Sequence, residues 1–268
     1  MYNTPPVTIL VNSSDGFDDC WPPFFVFMTT YWPRLDFPVL LNTETRTFSY
    51  PGVDLACSKV ATGEMRRLSW SECLIRAIGM IETPLLLYMQ EDYFIDTPVD
   101  EDAIGRAIEL MLSNPDIGHV GLTKHGSHGP FLQSQYPGFS TIRKDARYRI
   151  STQAGLWRPH VLRSYLHPEE NGWMFEIFGT KRSRRKPDLF LVSDFGPGTD
   201  GPAIDYTHTG IIKGKWHANI PDLFERHKIE IDFGKRGFYH TPPFLFKKLD
   251  LITKLSQNLG YALRQIFN

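Results

Sequence analysis

Two adjacent carboxylates, Glu91 and Asp92, end a short apolar run in residues 84–96 (PLLLYMQEDYFID). An apolar run bounded by turn signals predicts a strand buried on both faces, and open α/β sheets bind ligands just beyond the carboxyl ends of such strands. Carboxylate oxygens suit hard cations such as Mg²⁺ or Mn²⁺, which usually bind together with substrate phosphates. The pair is therefore a candidate metal site, although two acids at this position could equally cap the next turn.

A further carboxylate, Glu176, follows Trp173 and Phe175 in a short predicted helix. A partly buried acid beside aromatic rings has a raised pKa, which suits a general base. The competing interpretation is an exposed helix acid that faces solvent or Arg182, and the local pattern by itself favours it.

Two lysines, Lys213 and Lys215, lie beside glycines in the segment GIIKGKW. The backbone there could approach a diphosphate closely, and the two ammonium groups could neutralise it. His208 precedes this segment and could complete a metal site with the acidic pair. Ordinary surface lysines and a plain polar histidine are the alternatives.

The run 181–186 (KRSRRK) is strongly basic. It could hold a phosphate or an anionic lipid head group, but such runs are more often solvated loops. His125 and His128 lie in a glycine-rich, polar stretch, 123–148, which we predict to be a long loop, and loops of this length are often functional. The two histidines are candidate ligands or plain polar loop residues.

Composition places the chain among globular proteins. Its 268 residues are 41% hydrophobic and 22% charged, enough for one large domain, and the net charge of −1 does not indicate nucleic-acid binding. Three scattered cysteines without a Cys-x-x-Cys pair argue against a disulfide framework or a zinc site and favour a reducing compartment. We expect no signal peptide and no bilayer-spanning segment, and hence a cytoplasmic protein that can also rest on the inner face of a membrane.

The elements that must position these residues begin with a βαβ unit. A β-branched strand (7–11), a proline-initiated helix (22–31) and a second strand (37–41) predict a sheet whose first strands are parallel. Ser69 and Glu72 form a capping box at the start of another helix. We predict further strands at 53–56, 85–89, 117–122, 149–156 and 190–193, and further helices at 100–112, 159–166 and 168–179.

The C-terminal tail carries apolar residues at alternating spacings of four and three over 244–267, which predicts an amphipathic helix. We therefore divide the chain into a main domain, 1–240, and a helical tail, 241–268. The tail helix packs on its own domain, on a second subunit or on a membrane surface.

Several catalytic signatures are missing from the sequence. It contains no P-loop, no Gly-x-Gly-x-x-Gly dinucleotide fingerprint and no Gly-x-Ser-x-Gly nucleophile elbow.

An ordered set of short motifs over residues 7–216 resembles the GT-A glycosyltransferases, and most closely the bacterial and viral enzymes of polysaccharide synthesis. The order of elements contributes to this resemblance, since the βαβ start is followed by an apolar strand with an acidic end and later by an aromatic helix that carries an acid. The motifs are CWPPFF (20–25), YWP (31–33), WS (70–71), QEDYF (90–94), QAGLW (153–157) and WMFE (173–176).

The resemblance implies an α/β GT-A fold with a mixed, mostly parallel central sheet flanked by helices. It also implies a nucleotide-sugar donor, a divalent cation (Mg²⁺ or Mn²⁺), and an acceptor hydroxyl on a glycan or lipid-linked saccharide. Gln90-Glu91-Asp92 stands where the family usually has Asp-x-Asp, so that Asp92, helped by Glu91, would hold the metal.

The same resemblance assigns further roles. Glu176 would be the acceptor-activating base of an inverting enzyme, and Trp157 and Trp173 would contact the acceptor. The nucleoside pocket would be lined by residues that follow the first two strands, namely Asn12, Ser13, Asp15, Thr43 and Glu44.

Two other functions compete with this prediction. A sugar-phosphate nucleotidyltransferase also uses metal-binding acids on an α/β sheet, but it carries a glycine-rich, arginine-containing loop after the first strand, where this chain has NSSDG (12–16). A non-catalytic saccharide-binding protein would use aromatic loops and the basic run, although an aromatic content of 13% can also be core.

Overall fold

The computed structural model describes residues 5–195, 201–206 and 209–241. His208 and the predicted tail helix (244–267) lie outside the described residues. The chain divides into two units, residues 1–209 and 210–268, and the predicted boundary after residue 240 falls within the second.

A twisted mixed sheet is the scaffold of the first unit. Its strand order is β3-β2-β1-β4-β8-β5-β9-β7-β6. Within the described residues, this sheet consists of β1 (Val7–Asn12), β2 (Val39–Asn42), β3 (Leu55–Cys57), β4 (Leu85–Gln90), β5 (Ile117–Gly121), β6 (Phe131–Gln133), β7 (Phe139–Ile142), β8 (Gly155–Trp157) and β9 (Leu189–Ser193).

The first half of the sheet is parallel, as the βαβ pattern predicts. β1 pairs in parallel with β2 on one side and with β4 on the other, and β3 continues the parallel run. The chain therefore reverses its direction of winding between β1 and β4, which is the switch point at which sheets of order 3-2-1-4 bind ligands. The predicted mixed, mostly parallel α/β sheet is confirmed.

Helices cover this sheet where the sequence predicts them. α1 (Trp21–Tyr31) carries its proline in the first turn, and α2 (Trp70–Ile78) begins with the predicted capping box, since Ser69 accepts from the Glu72 N–H. The other helices of the first unit are α3 (Glu101–Ser113), α4 (Pro159–Tyr165), α5 (Gly172–Met174) and α6 (Thr180–Ser183).

Three local predictions were wrong. The stretch 123–148 is not one long loop, because β6 and β7 form an antiparallel hairpin within it. The strand predicted at 149–156 is only the three residues of β8, and it inserts antiparallel between β4 and β5. The helix predicted to end at Gly179 continues through α6, so that the first half of the basic run is helical rather than a loop.

The hydrophobic core lies where β8 crosses the centre of the sheet. Trp157 is 1% exposed, and its ring lies 4.0 Å from that of His119 on β5 and 5.3 Å from that of Phe190 on β9. The side chain of His119 is buried, with Nδ1 donating to the carbonyl of Leu156 at 2.9 Å. Burial lowers the pKa of His119 to about 3, which leaves a neutral ring in the core.

The second unit contains a tight hairpin of β10 (Ile211–Ile212) and β11 (Lys215–Trp216), followed by α7 (Ile220–Arg226). Lys213 and Gly214 form its turn with positive φ angles of 51° and 77°, a combination typical of two-residue hairpin turns. None of the helices in the described ranges is long and apolar enough to span a bilayer.

Candidate functional site

A hydrogen-bonded row of buried polar side chains lies across the carboxyl ends of β2, β1 and β4. Asn42 donates to Asn12 Oδ1 at 2.8 Å, and Asn12 donates to the hydroxyl of Tyr88 at 3.2 Å. At the two ends of this row, Ser58 donates to Asn42 Oδ1 at 2.9 Å and Gln90 donates to the Tyr88 hydroxyl at 3.2 Å. Such groups are stable in a core only when they are hydrogen-bonded, so this network fixes the edge of the sheet at the switch point.

The loops after β1 and β2 bind each other through two acids. The carboxylate of Asp15 accepts from the N–H groups of Glu44 and Thr45, both at 2.9 Å, and the Glu44 carboxylate accepts from the N–H of Asp15. Burial raises the pKa of Asp15, but the hydrogen bonds from the 44–46 loop outweigh this effect and hold it below its ordinary value. The two acids therefore shape this part of the edge.

The remaining residues predicted for the nucleoside pocket lie at the same edge. Ser13 Oγ accepts from the indole N–H of Trp21 at 2.7 Å. Thr43 is 1% exposed, and its hydroxyl donates to the carbonyl of Arg46 at 2.9 Å. Asn12 is 3% exposed. All five residues therefore lie at one edge of the sheet, and the side chains of Asn12 and Thr43 are buried there.

The acidic pair follows β4 as predicted and is largely buried. Glu91 and Asp92 are 7% and 5% exposed, and Asp92 Oδ2 accepts from the hydroxyl of Thr209 at 2.5 Å. The described residues include no group of three or more His, Cys, Asp or Glu side chains able to hold a metal. Two adjacent carboxylates nevertheless match the donor set of a Mg²⁺ or Mn²⁺ ion that takes its remaining ligands from water and substrate phosphates.

A cavity of about 440 Å³ opens at the carboxyl edge of β4 and β5. The walls of this cavity include residues of the segment after β5, the segment before β8 and the helical turn after α5. Among the side chains that line it are His125, His128, Ser151, Gln153, Glu176 and Tyr206. Its volume matches a small-molecule site, and its walls combine hydrogen-bonding and titratable groups.

Glu176 is half-buried in the wall of this cavity. Its Oε1 accepts from both the N–H and the hydroxyl of Thr152, each at 2.9 Å. Burial raises its pKa above the ordinary value, and the hydrogen bonds from Thr152 and the charge of His128 act against this shift. Glu176 is not directed at Arg182, because Arg182 binds the carboxylate of Glu170 through two bonds of 2.7 and 2.6 Å.

The helix that carries Glu176 has an irregular backbone at this point. The π-helical turn Phe175–Gly179 separates α5 from α6, and Asn171 caps the start by accepting from the Met174 N–H at 3.0 Å. π turns are rare and occur frequently at functional sites.

Sequence reasoning did not identify the polar network behind the cavity. Tyr206 donates to Gln153 at 2.7 Å, Gln153 donates to Tyr93 at 3.0 Å, and Tyr93 donates to the carbonyl of Thr152 at 3.0 Å. His125 donates through Nε2 to the carbonyl of Tyr206 at 2.8 Å. Gln153 and Tyr93 belong to the QAGLW and QEDYF motifs, which is the only sequence signal for them.

The remaining predicted residues lie in three places. Trp157 is in the core, so it does not contact an acceptor; the strand that carries it crosses the centre of the sheet. Trp173 is half-buried one turn before Glu176. Lys213 and Lys215 are exposed in the second unit.

No family model matches this sequence, and no curated protein is similar to it. Among solved structures, the chain is similar to S. aureus TarS 1–349, with 14% identity over 71% of this chain and 58% of that chain, at a TM-score of 0.47.

Two synthases are also similar to this chain, each at a TM-score of 0.31. Glucosyl-3-phosphoglycerate synthase from Mycobacterium tuberculosis, in complex with Mn²⁺, UDP and glucosyl-3-phosphoglycerate, is 12% identical over 43% of this chain and 42% of that one. Mannosyl-3-phosphoglycerate synthase from Rubrobacter xylanophilus is 14% identical over 44% of this chain and 39% of that one. These similarities concern the path of the backbone at low sequence identity. The roles of individual residues rest on the geometry described above.

Proposed function

We propose that this chain is a glycosyltransferase that moves a sugar from a nucleotide-diphosphate donor to a hydroxyl group of a glycan or lipid-linked acceptor. The observation that carries the proposal is the position of Glu176. A half-buried carboxylate with a raised pKa lines a cavity at the carboxyl edge of the sheet, beside the strand end that bears Glu91 and Asp92. The proposed metal-assisted, inverting transfer uses these two parts, a carboxylate base and an acidic pair.

The parallel half of the sheet supports the nucleotide side of this proposal. Its switch point lies between β1 and β4, and Asn12, Asp15 and Glu44 lie at the carboxyl ends of the strands there. We propose that the loops after β1 and β2, together with Ser13 and Thr43, form the nucleoside pocket. Lys213 and Lys215 are proposed to neutralise the diphosphate.

Asp92 and Glu91 would hold the divalent cation, with His208 as a further candidate ligand. When bound, a Mg²⁺ or Mn²⁺ ion supplies Lewis-acid neutralisation of the charge that develops on the departing nucleoside diphosphate.

Glu176 acts on the acceptor. Because Thr152 occupies Oε1, the second carboxylate oxygen remains to take the proton of the acceptor hydroxyl. The acceptor oxygen then forms a bond to the anomeric carbon while the bond from that carbon to the diphosphate oxygen breaks on the opposite face. This displacement inverts the anomeric configuration, and Trp173 is proposed to pack against the acceptor sugar.

A nucleotide screen tests the donor assignment. We expect one nucleotide among UDP, GDP, CDP and TDP to raise the melting temperature in the presence of Mn²⁺, because a ligand that binds only the folded state stabilises it by mass action. At ten times Kd the stabilisation is about 1.4 kcal/mol, or roughly 3–5 °C for a chain of this size. Asp92→Asn, which keeps the shape of the side chain, is expected to abolish the Mn²⁺-dependent part.

The matched control is Asp116→Ala. Asp116 is an exposed acid next to the amino end of β5, on the opposite side of the sheet, and its variant is expected to respond like the unmodified protein. If no nucleotide shifts the melting temperature, the donor assignment is wrong and a non-catalytic saccharide-binding function gains support.

A further inference from the structure

Thr152 makes polar contacts in two opposite directions. Its N–H and its hydroxyl both donate to Oε1 of Glu176 at 2.9 Å, while its carbonyl accepts from the hydroxyl of Tyr93 at 3.0 Å. Thr152 is 8% exposed, so these bonds form in a largely dry environment, where they are stronger than at the surface. Tyr93 directly follows Asp92 in the chain. A single residue therefore joins the acidic pair to the cavity carboxylate.

Tyr93 is itself held rigidly. Its ring stacks on that of Tyr206 with centroids 4.7 Å apart and planes 7° apart, and Gln153 donates to its hydroxyl at 3.0 Å. These contacts hold the Tyr93 hydroxyl in the position from which it donates a hydrogen bond to the carbonyl of Thr152.

We propose that Thr152 is the positioning residue of the reaction: it fixes the orientation of Glu176 through two hydrogen bonds to one oxygen and, through Tyr93, sets the distance between this base and the acidic pair. The inference rests on the proposed function. The reacting oxygen of Glu176 is then Oε2, because Oε1 accepts both hydrogen bonds from Thr152.

Several charged and titratable groups surround Glu176. His128, His125 and Lys124 line the same cavity, and the phenol of Tyr88 on β4 interacts with the carboxylate electrostatically. Thr152 differs from all of these because it contacts the carboxylate through short, directed bonds. Both bonds favour the ionised form, so removal of the hydroxyl is expected to raise the pKa of Glu176.

The first test measures this titration without reference to activity. The carboxyl carbon of Glu176 is followed by NMR in protein labelled with ¹³C-glutamate and is assigned by its absence in Glu176→Gln. We expect Thr152→Val to titrate at higher pH than the unmodified protein, and Thr152→Ser, which keeps the hydroxyl, to titrate like it. Tyr93→Phe, which keeps the stacked ring, is expected to move the titration less than Thr152→Val does.

The matched control is Thr83→Val. Thr83 is a half-buried threonine whose hydroxyl donates to the carbonyl of Leu85 at 2.8 Å, and it lies at the amino end of β4. This variant is expected to leave the titration of Glu176 unchanged. The inference is overturned if Thr152→Val titrates like the unmodified protein, or if Thr152→Ser is shifted as far as Thr152→Val.

The second test uses the transfer reaction with the nucleotide sugar identified by the screen. Thr152→Val is expected to lower kcat on the order of 10-fold and to move the acid limb of its pH profile upward, with nucleotide affinity changed less than 2-fold. A loss of nucleotide affinity with unchanged kcat would contradict a role in positioning the base. If the unmodified protein transfers no sugar, the proposed function fails, whereas the NMR titration still decides the role of Thr152.

Discussion

Replacement of Glu176 by Gln is expected to lower kcat by about 10²- to 10⁴-fold, the usual contribution of a positioned general base. Gln has nearly the shape of Glu and can still accept from Thr152 through its amide oxygen, so the cavity should keep its form. Because the amide cannot take a proton, the reaction loses its base and little else. Steady-state kinetics with the identified donor, together with nucleotide affinity in the same variant, make the comparison.

The pH dependence gives the same assignment independently. Burial raises the pKa of Glu176, and a base acts only when ionised, so kcat should rise with pH through a value above that of an ordinary glutamate. The variant should lack this limb.

Glu169→Gln serves as the control, since Glu169 is an exposed glutamate in the turn that precedes the same helix and should leave kcat unchanged. A Glu176→Gln protein that retains full activity would remove the base from the mechanism.

Local sequence signals predicted the part of the fold that depends on near neighbours. The β-branched strand 7–11, the prolines at the start of α1 and the capping box at Ser69 each act within a few residues, and the structure contains all three elements. The apolar run before Glu91 likewise predicted β4, because a strand buried on both faces needs no alternation of polar residues.

Pairing between distant segments was not predictable in this way. β8 has three residues and takes its place in the sheet from partners on β4 and β5, about 70 and 35 residues earlier in the chain. The hairpin of β6 and β7 lies in a glycine-rich stretch whose composition favours loops. Within the π turn at Glu176, Phe175 packs against Trp70 and Gly179 lies close to Ile150, and these contacts leave no periodic pattern in the sequence.

The candidate site shows the same division. The acidic pair was a candidate because it ends an apolar run, whereas Glu176 was assigned as a base by the resemblance of its motif, since its local pattern alone favoured an exposed acid. Thr152 was not predicted, since a threonine acquires its role only from Tyr93, 59 residues away, and from Glu176, 24 residues away. Trp157 was assigned to an acceptor because of its motif, but an aromatic residue type does not distinguish stacking on a sugar from packing in a core.

The buried His119 is expected to make the protein sensitive to acid. Its pKa is about 3 in the folded protein and about 6.5 in the unfolded chain. Between these two values His119 is protonated in the unfolded chain and neutral in the folded protein, so protons favour unfolding. Stability contributed by the neutral ring is therefore present above pH 6.5 and is lost as the pH falls towards 3. Between pH 6.5 and 4.5 the loss of unfolding free energy from this residue is about 2 kcal/mol.

Urea unfolding at pH 7, 5.5 and 4.5 measures this loss, with His119→Phe as the variant that cannot titrate. A phenyl ring can stack in the same slot between Trp157 and Phe190, although it gives up the hydrogen bond to Leu156 and should lower stability at pH 7. The free energy of unfolding should then fall less steeply with acid in His119→Phe than in the unmodified protein. His160→Gln, at an exposed histidine, should keep the original slope. The two proteins differ in one ionisable group, the imidazole of His119. If the free energy of unfolding falls equally steeply with acid in both, the acid sensitivity arises from other groups.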